Sequence, residues 1–342
     1  MLTRCKSVVS ALCVIALTHA SPITTTHLHK RYDYPNPEPC TGNCTWIHDP
    51  SLIKKDGLWY RFSTSGNIAI ATAPAITGPW EYRGALLDKG TSIFVADGQD
   101  IWAPDVTLIG DTYYAYYAVS RMGLQNSTIG VATSTSLLPG SWTDHGSISL
   151  PHSADYNLID PNVLQDAGGQ IYFTFGSYWN DIFQTSFSSP PLASAAQGVE
   201  VMNVVNNRTE RVTVVEGSFQ FKHPSNGFYY IFFSVGACCN TPPNLAPAGD
   251  EYRIMVCRSQ SATGPFTDDK GRSCVAENGG SLVLASHGNV YAPGGQGVVY
   301  DESVGRVVLY YHYVRPSVGY SAEQFFFGYN YLDFGSGWPV VV

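Results

Sequence analysis

The sequence predicts an all-β protein built as a five-bladed β-propeller, and two observations support this prediction. One unit, made of a short strand, a turn with Gly, Asp or Asn, and an aromatic strand, recurs five times along the chain. Sustained helical periodicity is absent, so an α/β fold is not expected. With 342 residues the chain exceeds the usual size of a single core. Repeated units solve this problem because each one buries its sheet face against the next.

The five copies each join a polar or acidic segment to an aromatic strand. The pairs are 48–51 with 57–60, 102–105 with 110–114, 159–162 with 170–173, 215–218 with 227–230, and 293–296 with 308–311. In three units a further strand ends at a similar turn, at residues 78–80, 140–142 and 264–266. Spacings of about 50 to 80 residues, with about four strands in each unit, are typical of propeller blades.

The N-terminus has the pattern of a secretory signal. A basic start precedes an apolar stretch from Val8 to Leu17, and the pattern closes at Ala20. This stretch is too short to span a bilayer, and no later segment is long and apolar enough to do so. We expect residues 1–20 to be a signal peptide, 21–31 to be a candidate propeptide, and 32–342 to be the secreted propeller domain. The dibasic pair at 30–31 that suggests the propeptide could equally be an ordinary exposed pair.

Six cysteines follow residue 20, and an even number in an exported chain predicts disulfides. Proximity in sequence favours the pairs Cys40–Cys44 and Cys257–Cys274. The adjacent Cys238 and Cys239 would then bridge each other or stay reduced. No paired Cys-x-x-Cys arrangement supports a zinc site. An exported glycoprotein also fits the three Asn-x-Ser/Thr triplets, which begin at Asn43, Asn126 and Asn207.

Charge and aromatic content restrict the partners. The formal net charge is −8, so nucleic acid is not an expected partner, and no segment predicts a membrane partner. The 22 tyrosines and 7 tryptophans suit neutral, hydroxyl-rich ligands, because an aromatic face packs on the apolar side of a sugar ring. Most of them are strand residues. We expect a monomer.

Three of the five repeats carry a carboxylate near the start of the first strand. Aligning the repeats on their aromatic strands places Asp49, Ala103, Asp160, Glu216 and roughly Gly294 at corresponding points, on strands that would line the central channel. Crowded acids raise one another's pKa, and converging perturbed acids mark active sites more often than architecture. Glycoside hydrolysis needs such a set, with one acid to protonate the leaving oxygen and a carboxylate to activate water. The alternative is a group of solvated or ion-binding acids.

Other candidates lie beside these acids. His48 could orient the base or bind a sugar hydroxyl, or be held by packing. Trp102 is a candidate sugar platform, with a core position as the alternative. Asp105 is expected on the wrong side of its strand for catalysis, because side chains alternate along a strand.

Several motifs together resemble glycoside hydrolase family 43, and within it the fungal endo-α-1,5-L-arabinanases. They are His48-Asp49-Pro50 and the segments at 102–105, 159–162, 175–179 and 215–218, supported by 236–239, 286–288, 294–296 and 337–339. The resemblance covers nearly the whole mature chain in order. It implies arabinan as substrate and an inverting mechanism, with Asp49 as general base, Glu216 as general acid and Asp160 tuning the acid. It also implies that Asn162, Ser177 and Trp179 contact the sugar. For each of these residues a structural role is the alternative.

The chain departs from the family pattern at one point. Many relatives carry a histidine in the fifth-blade Pro-Gly motif, near an ion at the propeller centre, whereas Gly295 occupies that place here. No cofactor is expected to be required, and a calcium ion at the propeller centre is in doubt. His312 could take over part of the histidine's role, or be a packed strand residue.

Three functions stay open at this stage. The first is the inverting endo-acting arabinanase. The second, within the same chemistry, is an exo-acting α-L-arabinofuranosidase or β-xylosidase, which would close one end of the channel with a loop or an extra domain. We expect an open cleft, because no further domain follows the fifth repeat. The third is a non-catalytic propeller lectin, which would need aromatic residues but no carboxylate trio.

Overall fold

Five four-stranded antiparallel sheets make up the fold, and the strands of each sheet follow chain order from the inside outwards. The structure is a computed structural model that describes residues 33–207, 214–238 and 242–342. The predicted five-bladed, all-β architecture is confirmed. The predicted signal peptide and propeptide, residues 1–31, lie outside the described residues. Within the described ranges, no helix has the length and apolar character needed to cross a membrane.

The first three blades contain strands β1 to β12. The first blade comprises β1 to β4, at His48–Lys55, Leu58–Thr64, Ala69–Ala73 and Glu81–Ala85. The second comprises β5 to β8, at Asp100–Ile109, Thr112–Ser120, Thr128–Ser134 and Thr143–Ser147. The third comprises β9 to β12, at Asn162–Gln165, Ile171–Phe175, Ile182–Phe187 and Met202–Val205.

The last two blades contain strands β13 to β20. The fourth blade comprises β13 to β16, at Val215–Lys222, Tyr229–Val235, Arg253–Ser259 and Ser281–Leu284. The fifth comprises β17 to β20, at Tyr291–Asp301, Arg306–Val314, Phe325–Asp333 and Val340–Val341, with a 3₁₀ turn at Ala322–Gln324 before β19. The three predicted turns at 78–80, 140–142 and 264–266 each lie between the third and fourth strands of a blade.

Aromatic residues on the second strands form the core between blades. The innermost strands β1, β5, β9, β13 and β17 contact one another in a closed ring. Each gap between neighbouring blades holds one apolar cluster. The second strands contribute buried aromatic side chains to these clusters, among them Phe62, Tyr117, Phe173, Phe232 and Tyr310. The aromatic strands whose repetition predicted the fold therefore form the core between blades.

A bulge interrupts four of the innermost strands near the channel mouth, and it corrects the alignment of the repeats. Paired residues skip from His48 to Ser51, from Trp102 to Asp105, from Glu216 to Phe219 and from Gly294 to Gly297. Glu216 and Gly294 therefore correspond to His48 and Trp102, and the counterparts of Asp49 and Ala103 are Gly217 and Gly295. The predicted equivalence of Glu216 with Asp49 was wrong by one residue, because the spacing between the bulge and the aromatic strand differs between blades, with Ser51 pairing with Phe62 and Phe219 with Phe232.

The bulges give the channel residues a distinctive backbone. Asp49, Ala103 and Asp160 have φ angles of 44°, 45° and 55°, and Gly217 and Gly295 have 61° and 55°. Positive φ costs energy for a residue with a Cβ, and such strain collects at functional sites. The carboxylates of Asp49 and Asp160 thus stand on backbone that the surrounding blades must hold in place.

Side chains of the preceding blade hold several of these bulges. Thr64, Ser234 and His312 occupy equivalent positions on β2, β14 and β18, each paired with the residue before a bulge. Each of the three accepts a backbone N–H from a bulge residue of the next blade. The bonds are Ala103 N to Thr64 Oγ at 2.7 Å, Gly295 N to Ser234 Oγ at 3.0 Å and Asp49 N to His312 Nδ1 at 3.1 Å.

A second set of bonds joins the innermost strands further from the channel mouth. Ser51, Asp105 and Asn162, which are equivalent and buried, each accept a backbone N–H from the next blade. The donors are Val106 to Ser51 at 3.0 Å, Val163 to Asp105 at 2.8 Å and Gln220 to Asn162 at 2.8 Å. The Asp105 carboxyl is thus used for joining blades, which agrees with its predicted exclusion from catalysis.

The segment before β1 joins the first and fifth blades. Phe327 of β19 donates its N–H to Cys44 O, and Trp80 beside β4 donates its N–H to Thr41 O, both at 2.9 Å. The predicted disulfides Cys40–Cys44, within this segment, and Cys257–Cys274 are both confirmed. The prediction for Cys238 and Cys239 involves a residue outside the described ranges, so it stays a prediction.

Asp105 should make stability depend on pH. Burial raises the pKa of its carboxyl to about 7, whereas in the unfolded chain it ionises near pH 4. Between these values unfolding releases a proton, so the stability contribution of Asp105 falls as pH rises from about 4 to about 7. We expect Asp105→Asn, which keeps an acceptor oxygen, to weaken this decline. Urea unfolding of both proteins across this range measures the difference, and parallel declines would contradict the raised pKa.

Candidate active site

Asp49 lies in the first blade and is held on two sides. Thr64 Oγ donates to Asp49 Oδ2 at 3.0 Å, and the Asp49 backbone N–H donates to His312 Nδ1. The Asp49 side chain retains 33% exposure, so its carboxylate still faces the open space of the channel. A water molecule can therefore reach it, as a general base requires.

Glu216, at the start of β13, receives two hydroxyl groups. Ser177 Oγ donates to Glu216 Oε2 at 2.5 Å, and the Tyr252 hydroxyl donates to Glu216 Oε1 at 2.9 Å. Ser177 and Tyr252 are both buried, so their positions are fixed by packing. Both hydrogen bonds stabilise the carboxylate that remains after Glu216 gives up a proton.

Asp160 lies in the third blade, one strand away from Glu216. Its Oδ2 accepts the backbone N–H of Gly217 at 2.9 Å. This bond ties Asp160 to the residue that follows Glu216. Asp160 is thus placed to act on Glu216 both through charge and through the backbone.

The three carboxylates shift one another's pKa. Burial raises the pKa of each of them, and the pKa of Asp160 stands well above its usual range because Glu216 and Asp49 add their negative charge to the burial. Hydrogen bonds from Ser177 and Tyr252 lower the pKa of Glu216 and so partly offset its rise. The charge of His48 has the same effect on the pKa of Asp49. The ionisation of each carboxyl therefore depends on the charge of the others, and a raised pKa suits a group that donates a proton in acid catalysis.

Two glycines of the fifth blade allow the channel residues to approach closely. A Cβ at Gly295 would lie 2.5 Å from Asp49 Oδ1 and 2.6 Å from His312 Cε1. A Cβ at Gly294 would collide with the ring of Tyr252. Gly295 therefore has no room for a side chain in this arrangement.

The five predicted sugar contacts have different surroundings. His48 Nε2 donates to Ala322 O at 3.1 Å and its ring stacks on Phe325 at 4.2 Å, so packing accounts for it. Trp102 is partly exposed, and its indole N–H lies 3.3 Å from Asp100 Oδ2. Trp179 is 48% exposed and contacts Tyr178. Trp102 and Trp179 keep a face for a sugar, and both stay candidates.

Asn162 and Ser177 have other uses. Asn162 is 2% exposed, with its oxygen accepting Gln220 N and its amide lying 3.3 Å from Asp105 Oδ2. The Ser177 hydroxyl is bonded to Glu216. The sugar contacts predicted for these two residues stay predictions, and their hydrogen bonds to protein groups support the alternative structural role.

His312 is a poor match for calcium. Its Nδ1 accepts the Asp49 N–H, and its buried Nε2 has no partner among the described residues. Calcium prefers six to eight oxygen ligands, and the described residues contain no group of three or more His, Cys, Asp or Glu placed to hold a metal. Burial and the charge of His48 hold the pKa of His312 well below its usual range, so the ring is neutral.

Three supporting residues escaped sequence analysis. Thr64 contacts Asp49 and Tyr252 contacts Glu216, whereas Gln296 appeared only as part of a motif. Thr64 and Tyr252 lie far along the chain from the carboxylates they serve, 15 and 36 residues away. An alignment of β2, β14 and β18 makes Thr64 equivalent to Ser234 and His312. This equivalence is the one sequence signal that could have identified Thr64 as a supporting residue.

This site combines the groups that hydrolysis of a glycosidic bond requires: coupled buried carboxylates facing one open channel. The family profile described as Glycosyl hydrolases family 43 matches residues 45–328. The chain therefore belongs to glycoside hydrolase family 43.

Relatives and solved structures agree with this family. The arabinan endo-1,5-alpha-L-arabinosidase A of Aspergillus aculeatus is 48% identical over 91% of this chain and 95% of its own length. A probable enzyme of the same name from Aspergillus fumigatus is 45% identical over 98% of both chains. Among solved structures, the native arabinanase of Bacillus subtilis superposes with a TM-score of 0.72 at 26% identity, covering 87% of this chain and 98% of its own. The Cellvibrio cellulosa alpha-L-arabinanase complexed with arabinohexaose has the same TM-score and identity, covering 86% and 95%.

Tyr252→Phe should change the pH profile of catalysis. The variant keeps the ring but loses the hydroxyl that stabilises the Glu216 carboxylate. We expect kcat to fall about tenfold, as for one hydrogen bond to a charged group, and the pKa of Glu216 to rise. If Glu216 is the acid, the alkaline limb of the pH–rate profile moves to higher pH. Tyr116→Phe, which loses a buried hydroxyl bonded to Pro191 O, should leave the profile unchanged, and an unmoved limb in Tyr252→Phe would contradict this role.

Proposed function

We propose that this chain is an endo-acting hydrolase that cuts α-1,5-L-arabinofuranosidic linkages within arabinan by a single, inverting displacement. The observation that carries the proposal is the coupled trio of Asp49, Asp160 and Glu216 at one channel. A lectin has no use for three carboxylates whose pKa values are raised by burial and mutual repulsion. The names of the fungal relatives support arabinan as the substrate and endo action over exo action.

In the proposed reaction Asp49 acts as the general base. Its carboxylate takes a proton from a water molecule in the channel, and the water oxygen attacks the anomeric carbon of the sugar. Thr64 fixes one carboxylate oxygen, and His312 holds the Asp49 backbone through a neutral Nδ1. The other oxygen, Oδ1, lies 3.5 Å from His312 Nδ1 and remains available to the water.

Glu216 acts as the general acid in the same step. It donates a proton to the glycosidic oxygen as the bond to the anomeric carbon breaks. Ser177 and Tyr252 stabilise the carboxylate that results. A negative charge on Asp160 opposes a second one on Glu216 and so keeps the proton on the acid. Burial and the neighbouring charges raise the pKa of Asp160, and the Gly217 N–H opposes this by stabilising the Asp160 carboxylate.

The channel mouth offers aromatic surface for the sugar chain. Tyr178 and Trp179 are each 48% exposed. The pKa of Tyr178 is raised first by burial and then by the charge of Glu216, which places its phenol near the acid. Aromatic faces of this kind pack against sugar rings, so we propose that Trp179 and Trp102 contact arabinofuranose units on either side of the scissile bond.

Product analysis on linear arabinan tests the proposal. We expect a rapid fall in viscosity and a ladder of oligosaccharides early in the reaction, with xylan and aryl monoglycosides left intact. Release of arabinose alone, without loss of viscosity, would instead identify an exo-acting enzyme. Binding without products would identify a lectin. Glu216→Gln serves as the control for contaminating activity.

We further propose that the protein is exported, works as a monomer and needs no metal. The two confirmed disulfides support an oxidising compartment. N-terminal sequencing of the protein from a culture medium would test cleavage after residue 20 or 31, and light scattering would test the monomer. Full activity after exhaustive chelation is expected, and its loss would overturn the metal-independent reading.

A further inference from the structure

Gln296 interrupts a pattern on the innermost strands. The residue that follows the positive-φ position is proline in the first three blades, at Pro50, Pro104 and Pro161, but a smaller Ser218 in the fourth blade and Gln296 in the fifth. Gln296 is only 5% exposed. Burial of a flexible amide costs conformational entropy and requires partners for its polar atoms.

The amide of Gln296 is bonded at both ends to the fourth blade. Its Nε2 donates to Gly217 O at 2.6 Å, and its Oε1 accepts from Ser234 Oγ at 2.7 Å. Ser234 in turn accepts the backbone N–H of Gly295, the residue before Gln296. The amide is therefore held in one orientation, with its nitrogen directed at Gly217.

Gly217 is the residue that follows Glu216, and it is held from both sides. Its N–H donates to Asp160 in the third blade, and its carbonyl accepts from Gln296 in the fifth blade. Its φ of 61° belongs to the left-handed region, so the segment is not in a relaxed strand conformation. Without these contacts the turn after Glu216 would have fewer constraints.

We propose that Gln296 is a positioning residue for Glu216, clamping the Gly217 peptide so that the acid points at the glycosidic oxygen. This inference rests on the proposed role of Glu216. Gln296 does not contact the carboxyl group itself, whose two oxygens are bonded to Ser177 and Tyr252. Its influence passes through the backbone, and a displacement of about 1 Å at a catalytic group is enough to lower turnover strongly.

Gln296→Met tests the proposal, because methionine has a similar length but no polar atoms. We expect kcat on linear arabinan to fall about tenfold or more, within the range of acid catalysis, with KM unchanged. The 2,4-dinitrophenyl glycoside of α-1,5-arabinobiose has a leaving group that needs no proton. On that substrate we expect a loss of less than about threefold.

Two further variants separate positioning from general damage. Gln184→Met removes an equally buried glutamine, bonded to Ala262 O at 3.0 Å, from the third blade, and should leave both rates unchanged. Ser234→Ala removes the hydroxyl that orients the Gln296 amide, but this hydroxyl also accepts the Gly295 N–H and is hydrogen-bonded to Tyr252. The variant is therefore compared with the wild-type residue at this position in a Tyr252→Phe background, where the route through the Tyr252 hydroxyl is already lost, and should there show the same dependence on leaving group with a smaller loss. If Gln296→Met does not fold, Ser234→Ala decides the question.

Equal losses on both substrates, or no loss on either, would overturn the role of Gln296. The role of Glu216 is tested separately by Glu216→Gln on the same pair of substrates. If that variant shows no dependence on the leaving group, the acid assignment has failed. If Glu216→Gln shows a dependence on the leaving group but Gln296→Met and Ser234→Ala do not, only the positioning role of Gln296 has failed.

Discussion

Replacing Glu216 with glutamine is expected to abolish most turnover of arabinan while leaving the fold intact. Glutamine keeps the shape of the side chain and can still accept a hydroxyl from Ser177 or Tyr252, but it cannot donate a proton as an acid does. A sugar alkoxide is a poor leaving group, so loss of the acid should lower kcat on the order of a hundredfold or more.

The leaving group distinguishes this loss from general damage. On the 2,4-dinitrophenyl glycoside of arabinobiose, Glu216→Gln should retain far more of its activity than on arabinan, because dinitrophenolate departs without a proton. The variant should also lose the alkaline limb of the pH–rate profile, which reports the acid. Near-normal turnover of arabinan by the purified, folded variant would remove Glu216 from this role.

Replacing Asp49 with asparagine should cause a loss of similar size. The amide keeps an oxygen for the Thr64 hydroxyl but is not basic enough to accept a proton from water. We expect kcat to fall about a hundredfold or more on arabinan and on the dinitrophenyl substrate alike, because attack by water is needed whatever the leaving group.

Asp105→Asn is the matched control for Asp49→Asn. Both carboxyls have a pKa raised by burial and both line the channel, and the chemical change is the same. Asp105, however, is bonded to Val163 and Asn162 and should keep most of its turnover when changed. Equal losses in the two variants would show that any lost channel charge is damaging, and would leave Asp49 without a specific role.

The repeat of aromatic strands made the blade count predictable from sequence. The second strands fill the gaps between blades, so five aromatic strands require five cores. The position of Asp49 and Asp160 was predictable for a similar reason, since each lies shortly before an aromatic strand. Glu216 was found as a residue but misplaced by one position, because the spacing to the aromatic strand varies: Ser51 pairs with Phe62, whereas the equivalent Phe219 pairs with Phe232, a partner two residues further along the chain.

What the sequence could not predict are contacts between separate strands around the channel. Tyr252, directly before β15 of the fourth blade, reaches Glu216 at the start of β13, and Gln296 reaches Gly217 from the fifth blade. Such pairs have no fixed spacing, since they depend on how the sheets pack around the channel. Asn162 entered as a sugar contact only through the family resemblance, and nothing in the sequence indicated that its amide joins three innermost strands.

The stereochemistry of the first product tests whether hydrolysis occurs by a single inverting displacement. Asp49 and Glu216 belong to the first and fourth blades, which are not neighbours in the ring. Water activated by Asp49 therefore attacks from one side of the channel, and the leaving group protonated by Glu216 departs on the other. Direct attack by water then inverts the anomeric centre. Proton NMR of linear arabinan digestion, recorded before mutarotation, should show the β-anomer released first from an α-linkage. First release of the α-anomer would contradict an inverting displacement, because it requires a covalent intermediate in which one of these carboxylates is the nucleophile.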